Sequence, residues 1–314
     1  MSFEDAFGRF IKMKDLKTLI ARRKFLDLLF AIVGLLALMV GVFTLLALII
    51  DLALDGMSRL SLSFFFSYPS RFPEEAGILS AWVGTILVMF VTATTAVPLG
   101  IASGIYLEEY APKNWFTDII EINIANLAGV PSIIYGLMAL GLFVYKLHLG
   151  QSVLTAGLTL GLLILPIVIM ATREAIRAIP TSIREAAYAV GATKWQTVQD
   201  HVLPYSLGGI LTGVIIGLSR AIGESAPLLT IGALTFIAFL PDPPLQTHFP
   251  FFSFEWLLSP FTVLPIQMFN WVSRPQAAFH LNAAAAGLVL LVMTLTMNGV
   301  AIYVRYLFRK RIQW

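Results

Sequence analysis

Two oppositely charged residues, Arg220 and Glu224, stand in the stretch SRAIGESAPLL within a chain that is otherwise largely apolar. They are four residues apart, so on a helix they share one face and can form an ion pair. A charge at the centre of a bilayer costs at least about 2.5 kcal/mol on insertion scales, so such a residue usually has a partner or a function. A guanidinium is planar, permanently charged and able to make two parallel hydrogen bonds, which suits phosphate or carboxylate oxygens.

Two interpretations of this pair follow from the residues alone. It is either a structural ion pair that faces the inside of a helix bundle, or a site at which Glu224 neutralises Arg220 until an anion takes its place. If the helix begins near Pro204, Arg220 lies about 24 Å along it. The position is therefore expected to be buried, and nearer the midplane if the helix begins below the membrane surface.

Polar residues also recur within the apolar stretch EINIANLAGVPSIIYG. They fall at roughly helical spacing, so they either hydrogen-bond between helices or line a polar pathway. Pro131 follows Gly129 and predicts a bend or a break in the helix at this point. The polar residues are Asn123, Asn126, Ser132 and Tyr135.

The composition indicates a polytopic membrane protein. Hydrophobic residues make up 58% of the 314 residues and charged residues 12%, about half the charged share of a soluble domain. A helix needs about 20 apolar residues to cross about 30 Å of hydrocarbon, and six charge-free runs predict six such spans. The runs are Leu28–Ile50, Ala76–Leu107, Ile122–Tyr145, Leu147–Thr172, Val202–Ser219 and Pro275–Val304. The apolar run Leu228–Leu240 is too short for a separate crossing and is expected to continue the fifth helix or to lie at the interface.

The distribution of basic residues predicts that both termini face the cytoplasm. Of the 21 lysines and arginines, sixteen fall in the two tails and the loops after the second and fourth spans, against four on the opposite side. The least basic inner loop follows the second span, where three acids accompany Lys113. These acids are Glu108, Glu109 and Asp118.

Several classes of function have no support in the sequence. The basic asymmetry explains the net charge of +3, so no nucleic-acid partner is expected. There is no phosphate-binding P-loop motif, no nucleophile elbow and no metal-ligand spacing among the four histidines. The absence of cysteine excludes disulfides and thiolate metal sites. The first apolar run has 23 residues, so it is expected to be a span and not a cleaved signal peptide.

Two predicted outer segments, Asp51–Glu75 and Pro241–His280, are rich in aromatic residues. Such residues favour the headgroup level of a membrane, so these segments either pack at the interface or offer a docking surface to an external partner. In the second span, Gly100 and Gly104 form a small-xxx-small face that predicts close packing against another helix.

The longest polar stretch on the inner side is ATREAIRAIPTSIREAAYAVGATKWQTVQDHVLP, which predicts two short helices. Ser182 with Glu185, and Thr193 with Gln196, each have the spacing of a capping box. Gly191 suits the C-terminal cap of the first helix, where a left-handed residue is wanted. The alanines of the first helix keep it slim, so a partner surface can approach its backbone. They are Ala186, Ala187 and Ala189.

The end of this stretch, EAAYAVGATKWQTVQDHVLP, resembles the EAA motif of ABC-importer permease subunits, although His201 stands where a hydrophobic residue is usual. The matching residues are Glu185, Ala186, Ala187, Gly191, Leu203 and Pro204. More narrowly, GIYLEEYAPKNWFTDIIEINIANLAGVPSIIYG, TREAIRAIP, LSRAIGESAPLL and SPFTVLPIQMFNWVSRPQ resemble the PstA-type permeases of phosphate-specific ABC importers. Ser219 and Ser225 replace the glycine and threonine usual there. The resemblance covers roughly residues 82–306.

This resemblance implies an all-α polytopic membrane protein with six transmembrane helices in a MetI-like type I permease bundle, carrying a cytoplasmic coupling helix. The expected segments are a basic tail (1–24), the first transmembrane helix (25–52), an outer loop (53–75), the permease domain (76–306, with the coupling segment at 181–204) and a second basic tail (307–314). The implied location is a bacterial inner membrane.

The resemblance also implies partners and site residues. The partners are a second permease of the PstC type, two PstB-type ATPases that hold ATP and magnesium, a PstS-type phosphate-binding protein outside, and membrane lipid; no cofactor is expected in this chain. Translocation residues are expected to be Arg220 and Glu224, then Arg173, with the polar-pathway residues Asn123 and Asn126. Coupling to the ATPase is expected at Glu185, Ala186, Ala187, Gly191, Ala192 and Thr193.

Three alternatives remain open. The chain is a permease for another oxyanion such as sulfate or molybdate, an ion-coupled secondary transporter working alone, or a membrane protein that senses phosphate without carrying it. The coupling segment would have no purpose in a transporter working alone, which argues against the second alternative.

Overall fold

The computed structural model describes the backbone of residues 3–243 and 253–311, and the side chains of residues 19–243 and 253–307. Parts of the second outer segment and of the C-terminal tail therefore lie outside the described residues. Within these ranges the helices are α1 (Phe3–Gly56), α2 (Leu62–Phe66), α3 (Leu79–Ile105), α4 (Trp115–Leu127), α5 (Ser132–Ala139), α6 (Val153–Arg177), α7 (Thr181–Ala189), α8 (Lys194–Thr197), α9 (Leu203–Ile222), α10 (Ala226–Thr230), α11 (Leu264–Val272) and α12 (Ala278–Arg311). π-Helical turns at Tyr106–Tyr110, Leu140–Lys146 and Val198–Val202 extend α3, α5 and α8, and 3-10 turns occupy Met57–Arg59 and Glu255–Leu258.

Five described helices are long and apolar enough to cross a membrane, and they coincide with five of the six predicted spans. The third predicted span is instead a bent pair, because α4 and α5 meet at an angle of 107°. The break lies at residues 128–131, where Pro131 ends the turn and α5 begins. The predicted break is confirmed, and the count reaches six if the bent pair is one crossing.

The chain divides into two units, Met1–Leu54 and Asp55–Trp314. The first unit is almost entirely α1, which has 54 residues and includes both the predicted tail and the predicted first span. At 1.5 Å per residue such a helix is about 81 Å long, far more than the hydrocarbon thickness of a bilayer. The boundary between tail and span therefore stays a prediction.

In the second unit, glycines let α3 approach α6 closely. A Cβ added at Gly100 would lie 2.7 Å from Val168, and one added at Gly104 would lie 2.6 Å from Thr172. Helices in lipid gain no hydrophobic driving force from meeting each other, so van der Waals contact between close backbones has to hold them together. The small-residue face predicted for the second span is therefore confirmed, and its partner is the fourth span.

A second glycine seam joins α9 to α6. The backbone of Gly209 lies against Ala175, and that of Gly213 lies so close to Ala171 that any added Cβ would overlap with it. As the residue numbers of these contacts rise along α9, those of their partners fall along α6, so the two helices are antiparallel.

The two aromatic outer segments pack against each other. The ring of Phe64 lies 6.1 Å from that of Trp271, which in turn stacks 6.4 Å from Phe279 at the start of α12. Arg59 fastens the first segment to α12 by donating from Nε to Oδ1 of the buried Asn282 at 2.6 Å. These contacts support the packing interpretation of the described part of both segments.

Of the two alternatives expected for Leu228–Leu240, the first is wrong, because this segment does not continue the fifth helix. That helix, α9, ends at Ile222, and α10 is a separate turn of helix whose Leu228 is buried in the core. Pro227 gives the physical reason, since in a continued helix its ring would clash with the carbonyl of Gly223 and its missing N–H would leave a bond unmade.

We expect two glycine-to-alanine changes in α9 to act in opposite directions. Gly213→Ala forces the new methyl group into Ala171 and should destabilise the protein by about 1–3 kcal/mol, typical of overpacking. Gly208→Ala meets no atom within 4 Å, so its better helix propensity should stabilise by up to about 1 kcal/mol. Thermal unfolding in detergent measures both, and equal effects from the two changes would contradict the seam.

Candidate functional site

Arg220 and Glu224 form the predicted ion pair. The guanidinium Nε lies 3.5 Å from the carboxylate Oε1; the side chain of Arg220 is 37% exposed and that of Glu224 is 21% exposed. The expectation that Arg220 is buried is therefore wrong for this chain by itself. Arg220 belongs to the last turn of α9, whereas Glu224 lies just beyond the helix end. Among the residues that the structure describes, none accepts a hydrogen bond from the Arg220 guanidinium. The pair is thus a charge contact that leaves the guanidinium donors available to an anion.

The register of α6 and α9 gives the depth of this pair. Extending it from the contact of Gly213 with Ala171 places Arg220 level with Ile164. At 1.5 Å per residue, Ile164 lies about 17 Å from the start of α6 at Val153 and about 20 Å from its end. Arg220 is therefore near the middle of the bundle, although it stands in the last turn of its own helix.

A hydrogen bond next to Arg220 ties the end of α9 to α12. The neighbouring Ser219 is within 2.7 Å of Oδ1 of Asn298 on α12. On α5, the hydroxyl of the buried Tyr135 donates to the carbonyl of Leu127 at 2.7 Å.

A cavity of about 390 Å³ opens next to the end of α9, between α3 and α12. The polar side chains among its described lining residues are two threonines, so these residues offer no charge to an anion. The lining residues are Thr85, Ile86, Met89, Ile222, Val292, Met293, Thr296 and Met297.

The other predicted translocation residues are not brought to this pair. Asn123 is exposed and donates from Nδ2 to the carbonyl of Ile119 in its own helix at 2.7 Å, and Asn126 is exposed on α4. Arg173 is buried and pairs with Glu121 at 2.6 Å. It lies nine residues past Ile164, about 14 Å further along α6. A role for these three residues in translocation stays a prediction.

The coupling segment has the two predicted helices, α7 and α8. Gly191 follows α7 with a φ of +87°, and its N–H donates to the carbonyl of Tyr188 at 3.0 Å. The N–H of Ala192 donates to the carbonyl of Ala187 at 3.0 Å, which completes the paired bonds of a Schellman motif. The predicted left-handed cap at Gly191 is confirmed.

One of the two predicted capping boxes is present. Thr193 and Gln196 cap α8 reciprocally, with both of the expected bonds in place. The box predicted for Ser182 and Glu185 is absent, since the N-cap of α7 is Pro180, two residues before Ser182, and it makes no side-chain cap bond. Ser182 therefore stands within the first turn of the helix, where its hydroxyl is in the wrong place to cap.

The exposed surface of the coupling segment contains apolar residues that sequence reasoning missed. Val190 is 85% exposed and Trp195 is 62% exposed, on either side of Gly191. Of the predicted coupling residues Ala187 faces inward and is buried, while Glu185, Ala186, Gly191 and Thr193 are exposed and Ala192 is half-buried. A large apolar side chain in an otherwise polar stretch was the available signal for Trp195.

Comparison with known proteins gives consistent similarities. Residues 96–314 match the family described as "Binding-protein-dependent transport system inner membrane component". The chain is 33% identical over 199 residues to "Probable ABC transporter permease protein YqgI" of Bacillus subtilis, across 63% of this chain and 66% of that protein. It is 32% identical over 276 residues to "Phosphate transport system permease protein PstA" of Yersinia pestis, across 86% of each chain.

Two further matches agree. "Phosphate transport system permease protein PstA 1" of Mycobacterium tuberculosis strain H37Rv is 31% identical over 241 residues, across 76% of this chain and 73% of that protein. The structure described as "Inward facing conformations of the MetNI methionine ABC transporter" shares the fold with a TM-score of 0.54 and 16% identity, across 72% of this chain and 93% of the other. This multi-pass membrane protein therefore belongs to the family of binding-protein-dependent transport system inner membrane components.

Proposed function

We propose that this chain is the permease subunit of an ATP-driven importer that moves inorganic phosphate into a bacterial cell. The observation that carries the proposal is the Arg220–Glu224 pair, which sits at the middle of the bundle with guanidinium donors that no described residue uses. Several similar proteins are named phosphate transport system permeases, which supports this anion over others.

The chemistry of the pair suits transient binding of a transported anion better than tight, permanent binding. Phosphate would take the free donors of Arg220 in two parallel hydrogen bonds, as guanidinium groups do with tetrahedral oxyanions. Glu224, four residues away, would repel the bound anion and re-form its ion pair after the anion leaves. Conduction requires binding that is favourable enough to admit the ion and weak enough to release it.

Energy comes from separate ATPase subunits, since this chain has no P-loop. Val190 and Trp195 would be the apolar contacts of the coupling segment in a groove of the ATPase, where ATP and magnesium are held. The remaining partners would be a second permease of the PstC type, a second copy of the PstB-type ATPase and an external PstS-type phosphate-binding protein. Both termini of the chain would face the cytoplasm.

The first expected outcome concerns the transported anion. Proteoliposomes that hold the assembled complex, supplied with binding protein and ATP, should accumulate labelled phosphate. Arsenate should compete because it matches phosphate in charge and shape, whereas sulfate and molybdate should not. Accumulation without ATP would overturn the ATP-driven mechanism, and competition by sulfate or molybdate would reassign the substrate.

Arg220→Ala should lower phosphate uptake by about 10- to 100-fold or more, because hydrogen bonds to a charged group are worth about 1.5–3 kcal/mol. Arg220→Lys should be intermediate, since it keeps the charge and loses the two-pronged geometry. Glu224→Gln should lower both the KM for phosphate and the turnover rate, because phosphate is no longer repelled. Arg71→Ala, in the outer loop, is the matched control. Normal uptake by an assembled Arg220→Ala complex would refute the site.

Trp195→Ala and Val190→Ser should reduce the amount of ATPase that co-purifies with the permease, by several-fold each, without lowering the Tm of the isolated chain. The expected cause is loss of apolar contact area, since both side chains are exposed and support little packing within this chain. Trp115→Ala, which removes an even more exposed tryptophan from α4, should leave co-purification unchanged. Full co-purification of both coupling variants would exclude the contact.

A further inference from the structure

Three consecutive residues of the π-helical turn after α3 each contact a side chain on a different helix. These residues are Glu108, Glu109 and Tyr110, within the turn Tyr106–Tyr110. Their partners are Arg177 of α6, Arg184 of α7 and Lys194 of α8. π-Helical turns of this kind occur frequently at functional sites. The inner loop that was least basic in sequence is therefore the loop whose acids hold the arginines of the coupling segment.

Of the three basic partners, Arg184 makes the most side-chain hydrogen bonds. Nε and Nη2 of Arg184 donate to Oε1 of Glu109 at 2.9 and 2.6 Å, and the Glu109 side chain is only 7% exposed. The same guanidinium donates to the carbonyls of Ile179 at 2.8 Å and Ile176 at 3.1 Å. One side chain thus binds α7 to the end of α3 and to the end of α6.

A neighbouring cluster continues the connection to α4. Arg177 donates to Glu108 at 2.9 Å, and the buried Arg173 pairs with Glu108 at 3.5 Å and with Glu121 of α4 at 2.6 Å. The cytoplasmic ends of α3, α4 and α6 are therefore joined by charges that largely satisfy each other.

The apolar packing of α7 is too small to hold it in place. Ala187 is its one buried residue, and a helix of nine residues has little stability of its own in water. Three residues, 178–180, connect α6 to α7. This link limits the distance between the two helices but does not fix the orientation of α7. The Glu109–Arg184 pair supplies that fixed orientation.

We propose that Glu109 and Arg184 are positioning residues that make the coupling segment and the cytoplasmic ends of α3 and α6 move as one body. A displacement of the coupling segment then reaches two spans through the π-helical turn, in addition to the path along the chain into α9. This inference rests on the proposed function, because it assumes that an ATPase displaces the segment.

The test compares Glu109→Ala with the matched control Glu174→Ala, which removes a 63% exposed carboxylate that forms an ion pair with one described residue, Arg177. The chain has no cysteine, so spin labels can be attached only at introduced positions. With labels at Ser182→Cys on α7 and Leu99→Cys on α3, the distance distribution in the assembled complex should be narrow with and without ATP. Glu109→Ala should widen it about two-fold or more, and Glu174→Ala should not.

The second readout is phosphate taken up per ATP hydrolysed, which should fall at least about five-fold in Glu109→Ala and remain unchanged in Glu174→Ala. Should Glu109→Ala fail to assemble, the double variant Glu109→Leu with Arg184→Met fills the site with apolar side chains of similar volume. It should assemble, and it should show the same wide distribution and low ratio.

An unchanged distance distribution in the assembled Glu109 variant would overturn the proposal, and so would a normal uptake-to-ATP ratio. The distance measurement needs no transported substrate. If the unmodified complex hydrolyses ATP without accumulating phosphate, the proposed function fails, while the distances still decide whether the pair fixes the segment.

Discussion

The close approach of α3 and α9 to α6 is the constraint on which the rest of the structure depends. In lipid, helix association gains no free energy from the hydrophobic effect, so van der Waals contact at the glycine seams on both sides of α6 has to hold the bundle together. Accordingly α6 is the most buried of the candidate spans. The same seams fix the level of α9, and they thereby place Arg220 about midway along the length of α6.

The arginines described above fall into two sets that differ in how many of their hydrogen-bond donors have an acceptor. At the middle of the bundle, Arg220 has one carboxylate at 3.5 Å and no hydrogen-bond acceptor among the described residues. At the ends of the spans next to the coupling segment, Arg184 has its donors occupied by a carboxylate and two carbonyls. Unsatisfied donors suit a passing ligand, whereas satisfied donors suit a fixed joint, which agrees with the different roles that we propose for the two sets.

The sequence predicted what depends on nearby residues. The apolar runs, the break at Pro131, the left-handed cap at Gly191 and the contact between Arg220 and Glu224 are all local, and the structure has each of them. It did not predict the end of α9 at Ile222 or the partners of Arg173. The bonds of Glu108 and Glu109 join residues about 70 positions apart, so their pairing is decided by how the spans pack and cannot be found from spacing along the chain.

The early end of α9 has a consequence for the energetics of the two halves of the bundle. Towards Pro204 from Arg220 the chain is one continuous helix, α9. In the other direction it continues as α10 and irregular chain, held by scattered bonds such as those from Ala233 N–H to Leu228 and from Leu234 N–H to Phe261. Segments with few cooperative hydrogen bonds open at a lower free energy than helices do. The described chain that follows α9 can therefore unfold locally and refold while the described spans stay intact, and its amides should exchange faster than those of α9.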